Sequence, residues 1–212
     1  MTAPIETDLA GLAARIEAAQ GARRRIVAVA GPPGSGKSTF AERLVERMSA
    51  WVPSAVLPMD GYHYDDIVLN ARGHRPRKGA PHTFDVDGLA ATLARLAADD
   101  GREVAVPVFD RSIEIARAGA RIIGPEVRLV VVEGNYLLLD DPAWAPLRAH
   151  FDATVLLAVP MSVIEARLGA RWAGYGFEGE AFRAKMEEND LPNARLVAGH
   201  SVAPTYLVPN DG

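Results

Sequence analysis

Nine residues of this 212-residue chain, Gly31-Pro32-Pro33-Gly34-Ser35-Gly36-Lys37-Ser38-Thr39, have the types and spacing to grip a polyphosphate. They fit the pattern G-x-x-x-x-G-K-[ST], with the apolar run Ile26–Ala30 before them and a helical pattern from Phe40 to Met48 after them. Glycines let successive backbone N–H groups turn inward around an anion without Cβ clashes. A helix start adds unpaired N–H groups and the positive end of its dipole. Lys37 is placed to reach the β- and γ-phosphates, and the Ser38 hydroxyl to complete a Mg²⁺ shell. Gly31, Gly34, Ser35, Gly36, Lys37, Ser38 and Thr39 therefore predict a nucleoside triphosphate site. A glycine-rich turn with a chance lysine is the weaker account, because both flanks also fit.

Phosphate loops of this kind serve kinases, GTPases, motors and nucleic-acid enzymes alike. Asp85-Val86-Asp87-Gly88 matches the short GTPase pattern D-x-x-G, but it follows a loop and no guanine-reading N-K-x-D comes after it, so the match reads as chance. No second ATPase module or long basic surface is visible for a motor or helicase. A small-molecule kinase fits best. It needs a cradle for ATP, a Mg²⁺ site, a base for the acceptor hydroxyl, and cations that spread charge from the transferred phosphoryl group. Asp60, directly after a predicted strand, is the expected base, with an Asp-Gly turn as the rival explanation. Glu133, after the apolar run Leu129–Val132, is the expected acid at the metal, with a helix cap as the rival.

Arg167 and Arg171 lie four apart, hence on one helix face, just before Gly174, Gly176 and Gly179. That segment, about 167–182, reads as a lid, and Arg171 is expected to clamp the phosphates when it closes. Arg167 is explained equally well by a solvated face. The basic cluster Arg72–Lys78 meets either an anionic acceptor or water. His63, His74 and His82 lack metal-ligand spacing and read first as loop histidines without a catalytic role, with hydrogen bonding to a substrate as the alternative.

These groups must be held by an alternation of strands and helices. An N-capped amphipathic helix starts at Thr7-Asp8 and stops at Gly21. After the phosphate loop and its helix, residues 55–59 read as a short strand and 61–83 as a long polar loop on the acceptor side. Asp85 and Asp87 open a helix carrying Leu89, Leu93 and Leu96 on one face. Val104–Phe109 is the next predicted strand, at an edge or terminal position because of Pro107, and 112–126 fits either a helical turn or a β excursion. Val127–Val132 and Ala153–Val159 are strongly apolar strands, and Asp141-Pro142 caps a short helix through Trp144 and Leu147. A capping box, Ser162-x-x-Glu165, opens the helix of Arg167 and Arg171; Glu180–Glu188 resumes a helix, and a strand near Thr205–Val208 follows. Such alternation predicts an α/β fold with a parallel sheet covered on both faces and ligands beyond the strands' carboxyl ends.

At 49% hydrophobic residues the chain can bury a full core, and no linker or repeat divides it, so one domain over 1–212 is expected. The net charge of -4 argues against nucleic-acid partners, and no apolar run approaches a membrane span. With no cysteine and no signal-like N-terminus, a cytoplasmic protein is expected. The oligomeric state stays open, a homodimer included.

Several stretches together resemble the phosphoribulokinase/uridine kinase family. They are Gly31–Thr39, Pro58-Met59-Asp60-Gly61-Tyr62-His63, Arg77-Lys78-Gly79-Ala80-Pro81, Thr83-Phe84-Asp85, Pro107-Val108-Phe109-Asp110-Arg111, Glu133 through Leu139, and Arg167-x-x-x-Arg171. The R-K-G-x-P stretch is similar to bacterial pantothenate kinase, and the complete set most resembles a bacterial branch catalogued as fructose transport system kinases or nucleoside/nucleotide kinase-like proteins. The resemblance implies a three-layer P-loop kinase fold with core strand order 2-3-1-4-5 and ATP-Mg²⁺ as donor. It implies Asp60 as the acceptor-activating carboxylate, Glu133 at the metal and Arg171 in the lid. Tyr62, Arg77, Lys78, Asp85 and Arg111 match positions that line the acceptor side in relatives, and Asn135 is expected there too. Asp60-Gly61-Tyr62 replaces the uridine kinase pattern D-S-F-Y, and Gly134-Asn135-Tyr136-Leu137 departs from the usual sequence after the acid. A sugar-like acceptor thus ranks ahead of a pantothenate-like or nucleoside one. A regulatory or assembly ATPase without a small acceptor is the alternative from another class.

Overall fold

Parallel pairing runs through the whole main sheet of the computed structural model, which describes residues 3–211. Its order is β1 (Ile5–Glu6), β8 (Tyr206–Pro209), β7 (Ala153–Ala158), β2 (Arg25–Ala30), β6 (Leu129–Gly134) and β3 (Ser54–Pro58). Counted along the chain from the phosphate-loop strand β2, the five core strands stand in the order 2-3-1-4-5. The two-residue β1, not foreseen from the sequence, extends the far edge beside β8.

Alternation along each strand sends residues to opposite faces. Ile26, Ala28, Val130 and Val132 pack with Leu89, Leu93 and Leu96 of α4 (Val86–Ala98) and with Trp144 and Leu147. Val27, Val29, Leu129 and Val131 pack with Leu12 and Ile16 of α1 (Leu9–Ala18) and with Phe40, Leu44 and Met48 of α2 (Lys37–Met48). Each such buried Leu, Ile or Val contributes about 1.5–3 kcal/mol, so neither face is stable uncovered. The result is a three-layer α/β/α fold. Asp8 caps α1 by accepting from the Gly11 amide, as its sequence position predicts.

The predicted strand at 104–109 does not join this sheet. It forms β4 (Val104–Asp110), which pairs antiparallel with β5 (Ile115–Ile123) as a separate ribbon, so the β excursion is what residues 112–126 adopt. The pairing skips register between Val106 and Val108, where Pro107 has no N–H to donate. The stretch 61–83 is also not one loop. It folds into short 3₁₀ turns at Met59–Tyr62, Arg75–Arg77 and Pro81–Thr83, with α3 (Asp66–Ala71) between the first two.

Beyond β7 come α5 (Met161–Gly174), a turn at Gly176, α6 (Gly179–Arg183), a π-helical turn at Ala184–Asp190 and α7 (Leu191–His200). Helix α5 starts at Met161 after Pro160, without the side-chain cap expected from Ser162. Ile164, Leu168, Met186, Leu191 and Ala194 give this region its own small core. Among the described residues no helix is long and apolar enough to cross a membrane.

Candidate active site

Because the sheet is parallel, β2, β3 and β6 all end at the same rim. Each delivers one candidate there: the phosphate loop after Ala30, Asp60 two residues past Pro58, and Glu133 at the penultimate position of β6. Glu133 pairs in register with Val29 and with Pro58, so all three groups come within a strand's width of one another.

In the phosphate loop, Gly34 and Gly36 hold φ of 78° and 81°, a region open to glycine. Gly36 is also the residue before α2, and no side chain caps that helix, so its leading N–H groups point into the loop free. The Ser35 hydroxyl is buried without a hydrogen-bond partner. A Cβ on Gly31 would stand 2.6 Å from it. Orphan donors, an uncapped helix start and left-handed glycines are the features a bound polyphosphate would satisfy, and the residues present fit ATP.

Lys37 lies half-buried at the start of α2. Desolvation pulls its pKa down, while Glu133 and Asp60 push it back up and Arg171 lowers it. Glu133 is buried, and desolvation pushes its carboxyl up to about 7 against the pull of Lys37, with Asp60 adding to the rise and Ser38 opposing it. A buried carboxylate beside a hydroxyl at a phosphate loop is a donor set suited to Mg²⁺ completed by phosphates and water. Among the described residues, no cluster of three or more His, Cys, Asp or Glu offers an all-protein alternative. Ser38 and Glu133 also line a cavity of about 280 Å³ with Glu42, Val56, Pro58 and Arg121.

Asp60 owes its place to the close approach of the ribbon. A Cβ on Gly61 would lie 2.5 Å from the Pro107 carbonyl oxygen, so glycine follows Asp60 because β4 passes there, and no left-handed turn is involved. Arg111 at the ribbon's tip donates through Nη2 to Asp60 Oδ2 at 2.6 Å. Burial works to raise the Asp60 carboxyl, but His63, Arg111 and Lys37 outweigh it and hold it below the usual carboxylate range. Near neutral pH His63 is itself uncharged, its imidazole driven by burial down to about 4, which leaves Arg111 and Lys37 to keep Asp60 ionised.

The remaining expected residues divide. Lys78 donates to Asp66 Oδ1 and to the Glu114 carbonyl, both at 2.7 Å, and its ammonium lies 5.3 Å from the centre of the Phe109 ring. Arg75 joins the same Asp66 carboxylate at 2.6 Å. Arg77 turns the other way, donating to the Glu188 carbonyl and to Asn193 Oδ1, because the π turn and α7 offer acceptors there. Tyr62 is buried in the core among the leucines of α4 and is not brought to the rim. Asp85 caps α4 by accepting from the Gly88 amide at 2.9 Å. Asn135 follows β6 at the rim with its Oδ1 buried and unpartnered. Arg171 is exposed on α5, which reaches the phosphate loop: a Cβ on Gly34 would lie 3.0 Å from Leu168 Cγ. Arg167, one turn earlier, donates to the Asn210 carbonyl at 3.0 Å.

Sequence reasoning missed two supports and undervalued a third. Asn210 donates to the Ser35 carbonyl at 2.7 Å, tying the C-terminal segment to the phosphate loop across 175 residues. Asn189 in the π turn donates to the Lys78 carbonyl at 2.9 Å, and Asp190 accepts from Trp172 Nε1 at 2.8 Å, which fastens α5 and the segment of Lys78 to one turn. No sequence signal marks these long-range pairs. The third is His63, whose place three residues after Asp60 at a strand end was a visible clue.

Comparison with known proteins places these features in company. The sequence model of the Phosphoribulokinase / Uridine kinase family matches residues 26–167. The YggC protein of Escherichia coli is 34% identical over 190 residues, covering 88% of this chain and 78% of that one. A Schizosaccharomyces pombe protein provisionally named a uridine kinase is 32% identical over 196 residues, covering 88% of this chain and 83% of its own. A crystal structure from Silicibacter sp. TM1040, provisionally named a fructose transport system kinase, is 42% identical with a TM-score of 0.89, covering 95% of this chain and 98% of that one.

Proposed function

The chain belongs to the phosphoribulokinase/uridine kinase family of ATP-dependent kinases, and we propose that it transfers the γ-phosphoryl group of ATP-Mg²⁺ to a hydroxyl of a small, sugar-like metabolite. One observation carries this: Asp60 and Glu133 stand at the ends of adjacent strands, both electrostatically coupled to Lys37 of the phosphate loop. That is the layout of a base and a metal-side acid on either side of a transferable phosphoryl group.

Backbone N–H groups of residues 34–39 and the start of α2 would cradle the phosphates. Ser38 and Glu133 would hold Mg²⁺, which neutralises phosphate charge when bound. Asp60, ionised through Arg111 and Lys37, takes the proton of the acceptor hydroxyl. The freed oxygen bonds to the γ-phosphorus as the bond to the β–γ bridging oxygen breaks and ADP departs. Lys37, and Arg171 once α5 and its following turn close, spread the charge that develops on the transferred oxygens. The acceptor side presents Asp60, Asp66, Lys78, Arg111 and His63 around the Phe109 ring. A polyhydroxylated acceptor suits so many hydrogen-bonding groups, and the name of the 42%-identical structure leans the same way.

A coupled ADP-release screen over sugars, sugar phosphates, nucleosides and pantothenate tests this. Asp60→Asn should cut transfer by about 10²–10⁴-fold while ATP affinity stays within a few-fold. Full activity in that variant, or ATP turnover that no metabolite stimulates, overturns it.

A further inference from the structure

We infer that His63 is a further catalytic residue: the acceptor hydroxyl is received between His63 Nε2 and Asp60 Oδ1, donating its proton to the carboxylate while accepting a hydrogen bond from the imidazole. This rests on the kinase function proposed above and goes beyond it by assigning a defined role to a histidine that the sequence alone leaves between a substrate hydrogen bond and a loop residue without a catalytic role.

The two oxygens of Asp60 are not equivalent. Oδ2 is taken by Arg111 at 2.6 Å, while Oδ1 faces His63 Nε2 at 4.0 Å. That gap is too long for a direct hydrogen bond. It suits an oxygen off the line between them, about 2.8 Å from each, which is ordinary hydrogen-bond length. Oδ1 is therefore the oxygen with a lone pair free for an incoming proton, and His63 is the group across from it.

His63 is fixed more tightly than a loop histidine needs to be. Its ring stacks on Phe84 at 4.0 Å between centroids and meets Phe109 at 4.9 Å. Its backbone bridges to that of Phe84, and its side chain is only 9% exposed. Nδ1 is sealed from solvent without a partner, so Nε2 is the nitrogen turned to the site. The carboxylate decides the tautomer. With the proton on Nδ1, the Nε2 lone pair would oppose the negative charge of Asp60; with the proton on Nε2, an N–H points at it. The groups facing the ring are Asp60, Lys78, Arg111 and Asp66, two carboxylates against two cations, and burial keeps the imidazole neutral. The site thus presents one fixed N–H donor beside one carboxylate acceptor.

This pair selects the chemistry of what it receives. The occupant must give a proton to Asp60 and offer a lone pair to His63. An alcohol does both. A protonated amine has no lone pair for the imidazole N–H, which would leave that buried donor unpaired, so amines should be poor acceptors at neutral pH. In the transfer step the O–H proton goes to Asp60, the oxygen bonds to phosphorus, and His63 keeps its own proton throughout.

Two measurements test this. In ¹⁵N-labelled protein, His63 near neutral pH should show the neutral ring with its proton on Nε2; a proton on Nδ1, or a charged ring, overturns the assignment without any acceptor in hand. With the best acceptor from the screen, His63→Phe keeps the aromatic stack but removes the donor. It should lower kcat by about 10–100-fold with the KM for ATP unchanged, while His63→Gln, whose amide nitrogen overlays Nε2, recovers most of the loss. Wild-type kcat in His63→Phe, or no recovery in a folded His63→Gln, overturns the role of His63. If Asp60→Asn is inactive in the same assay, that failure is confined to His63; an active Asp60→Asn would instead sink the proposed function.

Discussion

Replacing His63 by phenylalanine should flatten the acid branch of the stability curve. The imidazole titrates at about 4 in the folded protein and near 6.5 when unfolded. Between those values the unfolded chain binds more protons, so stability contributed by the neutral ring is complete above pH 6.5 and is lost as pH falls through 4. The gap is worth about 3 kcal/mol once pH is below both values, and about 2 kcal/mol near pH 5. Enclosure by Phe84 and Phe109 is what desolvates the ring, whose side chain is only 9% exposed. Other groups titrate in the same direction, since Asp60, Asp66 and Asp99 are all held below the usual carboxylate range. They remain in the variant, and Asp60, the one among them that His63 also influences, is still held low by Arg111 and Lys37 and stays ionised from pH 7 to pH 5, so the difference between proteins over that range isolates His63. Urea unfolding of both near pH 7 and pH 5 should show wild type losing about 2 kcal/mol more than His63→Phe. Equal losses would mean that the ring is solvated, and the enclosure described for it would be wrong.

Gly36→Ala should weaken ATP binding by at least about tenfold, since a left-handed φ costs about 1–2 kcal/mol for an L residue and the new Cβ would sit 2.9 Å from Asn210 Nδ2. Titration with a fluorescent ATP analogue checks this, and wild-type affinity would refute it. Glu133→Gln should trade function for stability. The raised carboxyl, near 7 when folded against 4.5 in the unfolded chain, costs stability as pH rises through 7. The variant should therefore be more stable near pH 8, by about 2–3 kcal/mol, yet lose transfer. Unchanged stability near pH 8 would contradict the buried placement of Glu133.

The phosphate loop, Asp60 and Glu133 were legible in the sequence because each follows an apolar strand directly, and a parallel sheet brings all strand ends to one rim. The same locality made Asp8 and Asp85 readable as helix openers. The ribbon at 104–123 was only half readable: its apolar alternation announces a strand, but nothing local says which strand it pairs with. Only packing placed Pro107 beside Gly61 and thereby set Arg111 on Asp60. Arg77 and Lys78 are neighbours in sequence with the same charge, yet they turn to opposite sides because their acceptors, Glu188 and Asp66, stand on different elements. Tyr62 and His63 divide likewise, one into the core against α4 and the other into an aromatic clamp beside Asp60. Local patterning, which depends on neighbours along the chain, determined where the glycine-rich loop lies and which carboxylates accompany it. Pairing across the chain, which no local pattern encodes, decided which oxygen of Asp60 stays free and what faces it.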